Sequence, residues 1–287
     1  MTDAPGLVVV DKAGGMTSHD VVSRVRRLAG TRKVGHAGTL DPMATGVLVL
    51  GVNRATRLLG HLLLTDKRYD ATVRLGVTTT TDDADGEVVV TAPVDHLDES
   101  AVRAAFADQV GELDQVPSSV SAVKVDGRRA YQRVREGEEV ELAPRRVTVH
   151  ELVVRDVRDG EVDVSVRCSS GTYIRAIARD VGVALGVGGH LTALRRTAVG
   201  PFDLTHARTL EEHAEAFGLI PIEDAARVAF PAYDLDDVQA ADVRHGRRLR
   251  AALPAAGPVA VFAPDGAFLA LYAQEGDVAR AVAVFTG

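Results

Sequence analysis

The chain has 287 residues, 46% hydrophobic and 25% charged, the proportions of a soluble globular protein with room for one large domain or a large and a small one. Its single cysteine, Cys168, excludes an internal disulfide and any cysteine-cluster metal site, which fits a reducing compartment. A net charge of −7 argues against bulk non-specific attachment to nucleic acid, and apolar runs such as Val47–Leu50 are far too short to span a bilayer.

Along the chain, residues 6–11 read as a strand of β-branched residues after a glycine. Thr17 or Ser18 caps an amphipathic helix that ends at Gly30. Val47–Val52 and Tyr69–Leu75 are strand-like, and Asp98–Val110 reads as a helix with Ala101, Val102, Ala105 and Phe106 on its apolar face. Residues 117–146 interrupt the rhythm with seven Lys/Arg and five acids, Tyr131 among them, as a lid or a substrate-gripping arm would. Val147–Val154 and Glu161–Cys168 form a hairpin across Arg158-Asp159-Gly160. A helix follows from Ile174 to Leu185, and a further short element begins at Leu191. An acidic helical stretch, 209–226, leads into residues rich in Ala, Gly and Pro. Short strands there, at Val259–Phe262, Phe268–Tyr272 and Ala281–Phe285, suggest a small all-β module. The mixture predicts an α+β fold with a mixed or antiparallel sheet.

Charge is unevenly placed. Residues 21–57 carry Arg24, Arg26, Arg27, Arg32, Lys33, Arg54 and Arg57 against Asp41 alone, and Arg244, Arg247, Arg248 and Arg250 form a second basic run. A basic face on an acidic body suits a structured RNA, because neutralising phosphate needs local charge. A solvated helix face explains the first cluster equally well.

The segment Gly35-His36-Ala37-Gly38-Thr39-Leu40-Asp41-Pro42-Met43-Ala44-Thr45-Gly46 sets one carboxylate in a Gly- and Pro-rich loop that runs into the apolar Val47–Leu50. Such a loop can hold a nucleophile or base in a fixed pose, or it can be an ordinary Asp-Pro turn. It closely resembles the signature of the TruB-type tRNA pseudouridine synthases. Gly6–Lys12 with Gly15-Met16-Thr17-Ser18, Lys67-Arg68-Tyr69 with Arg74-Leu75-Gly76, Cys168–Arg175 and Leu194-Arg195-Arg196 resemble further motifs of that family in the same order. Ala13 departs from it, standing where the family usually has proline.

The resemblance implies a catalytic domain over 1–226 with a thumb-like insertion at 117–146, and a PUA-like RNA-binding module over 227–287. It implies isomerisation of uridine 55 in the tRNA T loop, with Asp41 as nucleophile, Arg175 as its partner and Tyr69 against the base. His36 would fill the space of the flipped nucleotide, Tyr173 and Leu194 would line the uracil pocket, and Lys12 would reach a phosphate or brace the loop. Arg32, Lys33, Arg128, Arg129, Arg247 and Arg248 become candidates for the RNA backbone. A nucleophilic carboxylate can do this chemistry, at the base or at the sugar, with no cofactor and no metal. The resemblance favours the stand-alone bacterial type over a guide-RNA-dependent relative. Composition points to the cytoplasm and the lack of a long heptad pattern to a monomer, and the resemblance implies work on the tRNA T stem-loop without a membrane or an obligate protein partner.

Two other classes compete. In an RNA-binding or RNA-folding protein catalysis is secondary, yet Asp41, Tyr69 and Arg175 are all present. A phosphoryl-transfer enzyme needs a second carboxylate beside the nucleophile for Mg²⁺, but Pro42 and Met43 follow Asp41. Asp83, in Thr81-Asp82-Asp83-Ala84-Asp85-Gly86, lacks the glutamate of a calcium loop and reads as a structural turn near the site.

Overall fold

A computed structural model describes residues 3–118 and 142–286, together with the backbone of two short paired strands at Lys124–Val125 and Arg128–Arg129. In chain order the strands are β1 (Gly6–Lys12), β2 (Val34–His36), β3 (Thr45–Val52), β4 (Lys67–Leu75), β5 (Val77–Thr79), β6 (Val88–Thr91), β7 (Gly111–Gln115), β8 and β9 (the short pair), β10 (Arg145–Arg158), β11 (Glu161–Cys168), β12 (Gly189–Val199), β13 (Phe202–Asp203), β14 (Ile220–Pro221), β15 (Ala232–Asp234), β16 (Val259–Phe262), β17 (Phe268–Glu275) and β18 (Val278–Val284). The α-helices are α1 (Ser18–Ala29), α2 (Leu59–Leu63), α3 (Glu99–Ala107), α4 (Ile174–Ala184), α5 (Leu210–Glu215), α6 (Ile222–Ala229) and α7 (Asp237–Arg244).

The main sheet runs β14-β1-β3-β12-β4-β11-β10-β7, and off this path β2 pairs with β3 and β13 with β12. It is antiparallel except where β12 meets β3, with Arg195 opposite Thr45 and Arg196 opposite Gly46. This is the expected α+β architecture. Its centre is apolar on both faces because β1 and β3 are covered on both sides. Val8, Val10, Leu48 and Leu50 belong to one core cluster with residues of α1, α3 and α4, while Leu7, Val9, Val47 and Val49 belong to a second with residues of α2, α6 and the C-terminal strands.

Helix α1 starts at Thr17, whose hydroxyl accepts from the Asp20 N–H while Asp20 accepts from the Thr17 N–H, and it ends at Gly30 in the left-handed region, φ 67°. Two readings need correction. The short element expected from Leu191 is an eleven-residue strand, β12, inside the main sheet. Irregular pairing after Leu191 and Arg196 breaks its alternation, which hides a long strand from periodicity. The C-terminal module is not all β, because α7 packs on its four-stranded sheet through Ala240 and Val243. The signal for α7 lies in Asp236 and Gln239, which form its capping box. The expected insertion at 117–146 lies largely outside the described residues, as do Tyr131 and the side chains of Arg128 and Arg129.

Candidate active site

The loop after β2 returns to β3 through Gly46, whose φ is +99°. A Cβ there would stand 2.2 Å from the Arg196 carbonyl oxygen, so glycine alone lets the loop leave β3 alongside β12. Three groups hold the loop from below. Ser18 Oγ donates to the Leu40 carbonyl at 3.0 Å and accepts from the Leu40 N–H at 2.9 Å. Arg196, 1% exposed, donates to the carbonyls of Val47, Thr39 and Gly38 at 2.8, 3.3 and 3.1 Å. Lys12, wholly buried, donates to the carbonyls of Ala13, Met16 and Pro42 at 2.9, 2.7 and 3.1 Å.

Above these supports is a cavity of about 320 Å³. Its wall includes Asp41, Tyr69, Tyr173, Arg175 and Leu194, so five residues separated by up to 153 positions meet at one site. Arg175 comes from the first turn of α4 and its side chain is 3% exposed, while the Asp41 carboxylate is 35% exposed at the cavity. Arg175 Nε lies 3.0 Å from Asp41 Oδ2. Arg175 Nη1 donates to the Thr81 carbonyl at 2.8 Å and lies 3.4 Å from Asp83 Oδ2. The turn expected at Asp83 is therefore also a second carboxylate on the same guanidinium. It is fixed in turn by the Thr81 hydroxyl and the Asp85 N–H. Sequence placed no acid near Asp41, because 42 residues separate the two aspartates. The cation between them is Arg175 itself, and no cluster of three or more metal-ligating side chains occurs among the described residues.

Burial pushes the Asp41 carboxyl above its ordinary pKa; Arg175 pulls it back, and Asp83 adds to the upward push. The expected help from the guanidinium is present, but burial outweighs it. Burial likewise raises the Tyr69 phenol, with Arg196 opposing it from beside the ring. Lys12 is lowered to about 8 by burial. Lys67, 5% exposed, is also lowered to about 8 by burial, and it donates to the carbonyls of Leu63 and Thr65.

The remaining candidates lie elsewhere. His36 closes β2, edge-on to His19 with ring centroids 5.9 Å apart, and is outside the residues that line the cavity. Lys12 has its three N–H groups on main-chain carbonyls, so its geometry fits the loop brace and leaves no donor for a phosphate. Arg32 and Lys33 are exposed in the turn after α1, and Arg248 is exposed after α7, whereas Arg247 pairs with Asp242 at 2.7 Å. Sequence reasoning missed Arg196, Lys67 and Leu63 as parts of the site. Arg196 and Lys67 stood within motifs, but no pattern in the chain says that their charges point inward.

The comparisons follow the same outline. The family model described as TruB family pseudouridylate synthase, N-terminal domain, matches residues 26–174, and two C-terminal models, of the tRNA pseudouridylate synthase B C-terminal domain and of tRNA pseudouridine synthase II, match 175–228 and 230–286. The tRNA pseudouridine synthase B of Arthrobacter sp. (strain FB24) is 57% identical, over 98% of this chain and 96% of that protein. That of Thermobifida fusca (strain YX) is also 57% identical, over 99% of both. Among solved structures, a chain from an H/ACA RNP bound to a substrate RNA containing 2′-deoxyuridine is 25% identical with a TM-score of 0.74, over 98% of this chain and 85% of that one. A Cbf5-Nop10-Gar1 complex gives 26% and 0.74 over the same shares. Motif order, an aspartate–arginine pair at the floor of a cavity and near-complete coverage by relatives agree: the chain belongs to the TruB family of pseudouridylate synthases, and it is an isomerase.

Proposed function

We propose that this protein converts uridine 55 in the T loop of tRNA to pseudouridine, with Asp41 as the nucleophile and no cofactor. The observation that carries the reading is the Asp41–Arg175 pair at 3.0 Å on a cavity walled by Tyr69, Tyr173 and Leu194. Support for tRNA as substrate comes from relatives 57% identical that bear the name tRNA pseudouridine synthase B. The lower identity to chains of the H/ACA RNP and Cbf5-Nop10-Gar1 complexes, 25–26%, favours the stand-alone type, which we take to be a cytoplasmic monomer.

The reaction breaks the bond between uracil N1 and ribose C1′, turns the base, and joins C5 to C1′. The C5 proton leaves and N1 gains one, so no atom is gained or lost overall. A uridine stacked in a loop has to be extruded to reach the cavity. Leu194 and the two tyrosine rings offer the uracil flat apolar walls, while Arg175 holds Asp41 Oδ2 and leaves Oδ1 for attack. Tyr69 sits against the base and takes part in removing the C5 proton, its phenol held in the neutral form by burial. His36, at the start of the same loop but not on the cavity wall, serves the vacated stack. Exposed Arg32, Lys33 and Arg248, with Arg128, Arg129 and Arg247, contact the RNA backbone, so that residues 117–146 and the PUA-like module 227–287 grip the T stem-loop.

The test is to incubate the purified protein with unmodified tRNA transcript and map pseudouridine chemically. Product at position 55 supports the reading. Protein that binds tRNA and leaves the T loop unmodified overturns it, and product at another uridine overturns the assignment of position.

A further inference from the structure

We propose that Gln115 is a positioning residue for this reaction: its carboxamide fixes the start of α4, and thereby the places of Tyr173 and Arg175. The inference rests on the reading that those two residues serve the uridine site.

Gln115 is the last residue of β7 and is 4% exposed. Its Nε2 donates to the Tyr173 carbonyl at 3.1 Å, and its Oε1 accepts from the Tyr173 N–H at 2.8 Å. Both bonds fall on one main-chain residue, as a neighbouring strand would supply them, so the amide sets the position and the rotation of that peptide together. Tyr173 is the N-cap of α4 and makes no side-chain capping bond of its own. The conformation at the head of the helix is thus imposed from β7, 58 residues away in sequence. Arg175 follows two residues later and holds Asp41.

A second contact ties the same two segments. Arg179, one turn further along α4, donates from Nη2 to the Val116 carbonyl at 2.8 Å. A helix held at Tyr173 and at Arg179, six residues apart, resists both sliding and rolling against the end of β7. The Gln115 carboxamide makes two main-chain hydrogen bonds. Here both fall on a residue of the cavity wall, and a shift on the order of 1 Å in a reacting group can lower a rate about 100-fold.

The test uses the full chain with unmodified tRNA transcript in single-turnover assays across pH, alongside thermal unfolding and a tRNA-binding measurement. The variants are Gln115→Leu and Gln115→Glu. Ionised glutamate still accepts from the Tyr173 N–H but turns an oxygen toward the Tyr173 carbonyl, whereas protonated glutamate restores an O–H donor there. Gln115→Glu is expected to bind tRNA within about threefold of the parent and to lower the single-turnover rate about 10- to 100-fold at pH 8. Its rate relative to the parent should climb as pH falls. A merely structural glutamine would not give that recovery, and it is read within one variant, so it stands even if Gln115→Leu fails to fold. Parent-like rates in both variants, or a Gln115→Glu to parent ratio flat across pH, overturn the proposal. A parent protein that makes no pseudouridine overturns the functional reading instead.

Discussion

Arg175 stands between two aspartates, with Nε 3.0 Å from Asp41 Oδ2 and Nη1 3.4 Å from Asp83 Oδ2. One cation thus holds Asp41, the proposed nucleophile, and is itself held by a second acid that does not line the cavity. Replacing Arg175 by Met leaves two carboxylates without their cation, one of them 5% exposed. Such a loss costs about 3–5 kcal/mol. Arg175→Met should therefore lower both turnover and the midpoint of urea unfolding. Asp83→Asn should keep the fold and lower turnover with little change in tRNA affinity. Parent-like kinetics in Asp83→Asn would show that Arg175 needs no second anchor.

Asp41, the proposed nucleophile, is kept where its charge is disfavoured. Because burial raises its pKa, the carboxylate is lost on acidification earlier than an ordinary aspartate, and single-turnover rates should fall through a window above the usual carboxylate range. The sign for stability is the reverse. A raised folded pKa means that the ionised form weakens the fold above the unfolded value. Asp41→Asn should abolish product and leave the melting temperature at or above that of the parent; a drop of several degrees would mean that Asp41 holds the fold together.

Lys12 tests the brace beneath the loop. Lys12→Met removes the donors for three carbonyls, each worth about 1–3 kcal/mol when left buried and unsatisfied. The folded pKa is lowered to about 8 from 10.5, so between those values the unfolded chain binds the extra proton. Stability contributed at this site therefore rises with pH across that window. Parent unfolding free energies, measured relative to Lys12→Met from pH 8 to 10, should show this rise, and a flat difference would contradict it.

Gly46→Ala probes the exit of the loop. The added Cβ meets the Arg196 carbonyl oxygen at 2.2 Å, and φ is +99°. The variant should lose more than about 2 kcal/mol in chemical denaturation, since strain and clash both fall on backbone that cannot move aside.

At the C-terminal module, Arg248→Glu should weaken tRNA binding and reduce the slope of log K against log salt by about one to two. Arg247→Glu should do less, because Arg247 already pairs with Asp242 at 2.7 Å. Equal slopes for parent and Arg248→Glu would remove this module from the RNA footprint.

The legible parts of the sequence were those with local causes. Helix α1 has its cap, its apolar spacing and its terminal glycine in one stretch of chain, and β10–β11 has its turn at Asp159-Gly160. The Asp41 loop could be read because glycine and proline mark unusual backbone locally. What could not be read depends on distant pairing. Nothing near Asp83 says that it will meet Arg175, nothing near Gln115 points to Tyr173, and Arg196 looks like any basic residue until β12 sets it under the loop. Buried charge in particular is invisible to pattern, because its partners are main-chain carbonyls that every residue carries.

The parallel pairing of β12 with β3, Arg195 and Arg196 beside Thr45 and Gly46, also governs when the protein can become an enzyme. Its two halves are 150 residues apart, so closing it waits on most of the catalytic chain. During synthesis the basic helix α1 and the aspartate loop emerge long before α4 and β12, and a domain generally folds as a unit. A nascent or truncated chain ending before residue 196 carries Asp41 without the arginine that braces its loop from β12. Competence for catalysis thus arrives late and all at once, with the last central strand.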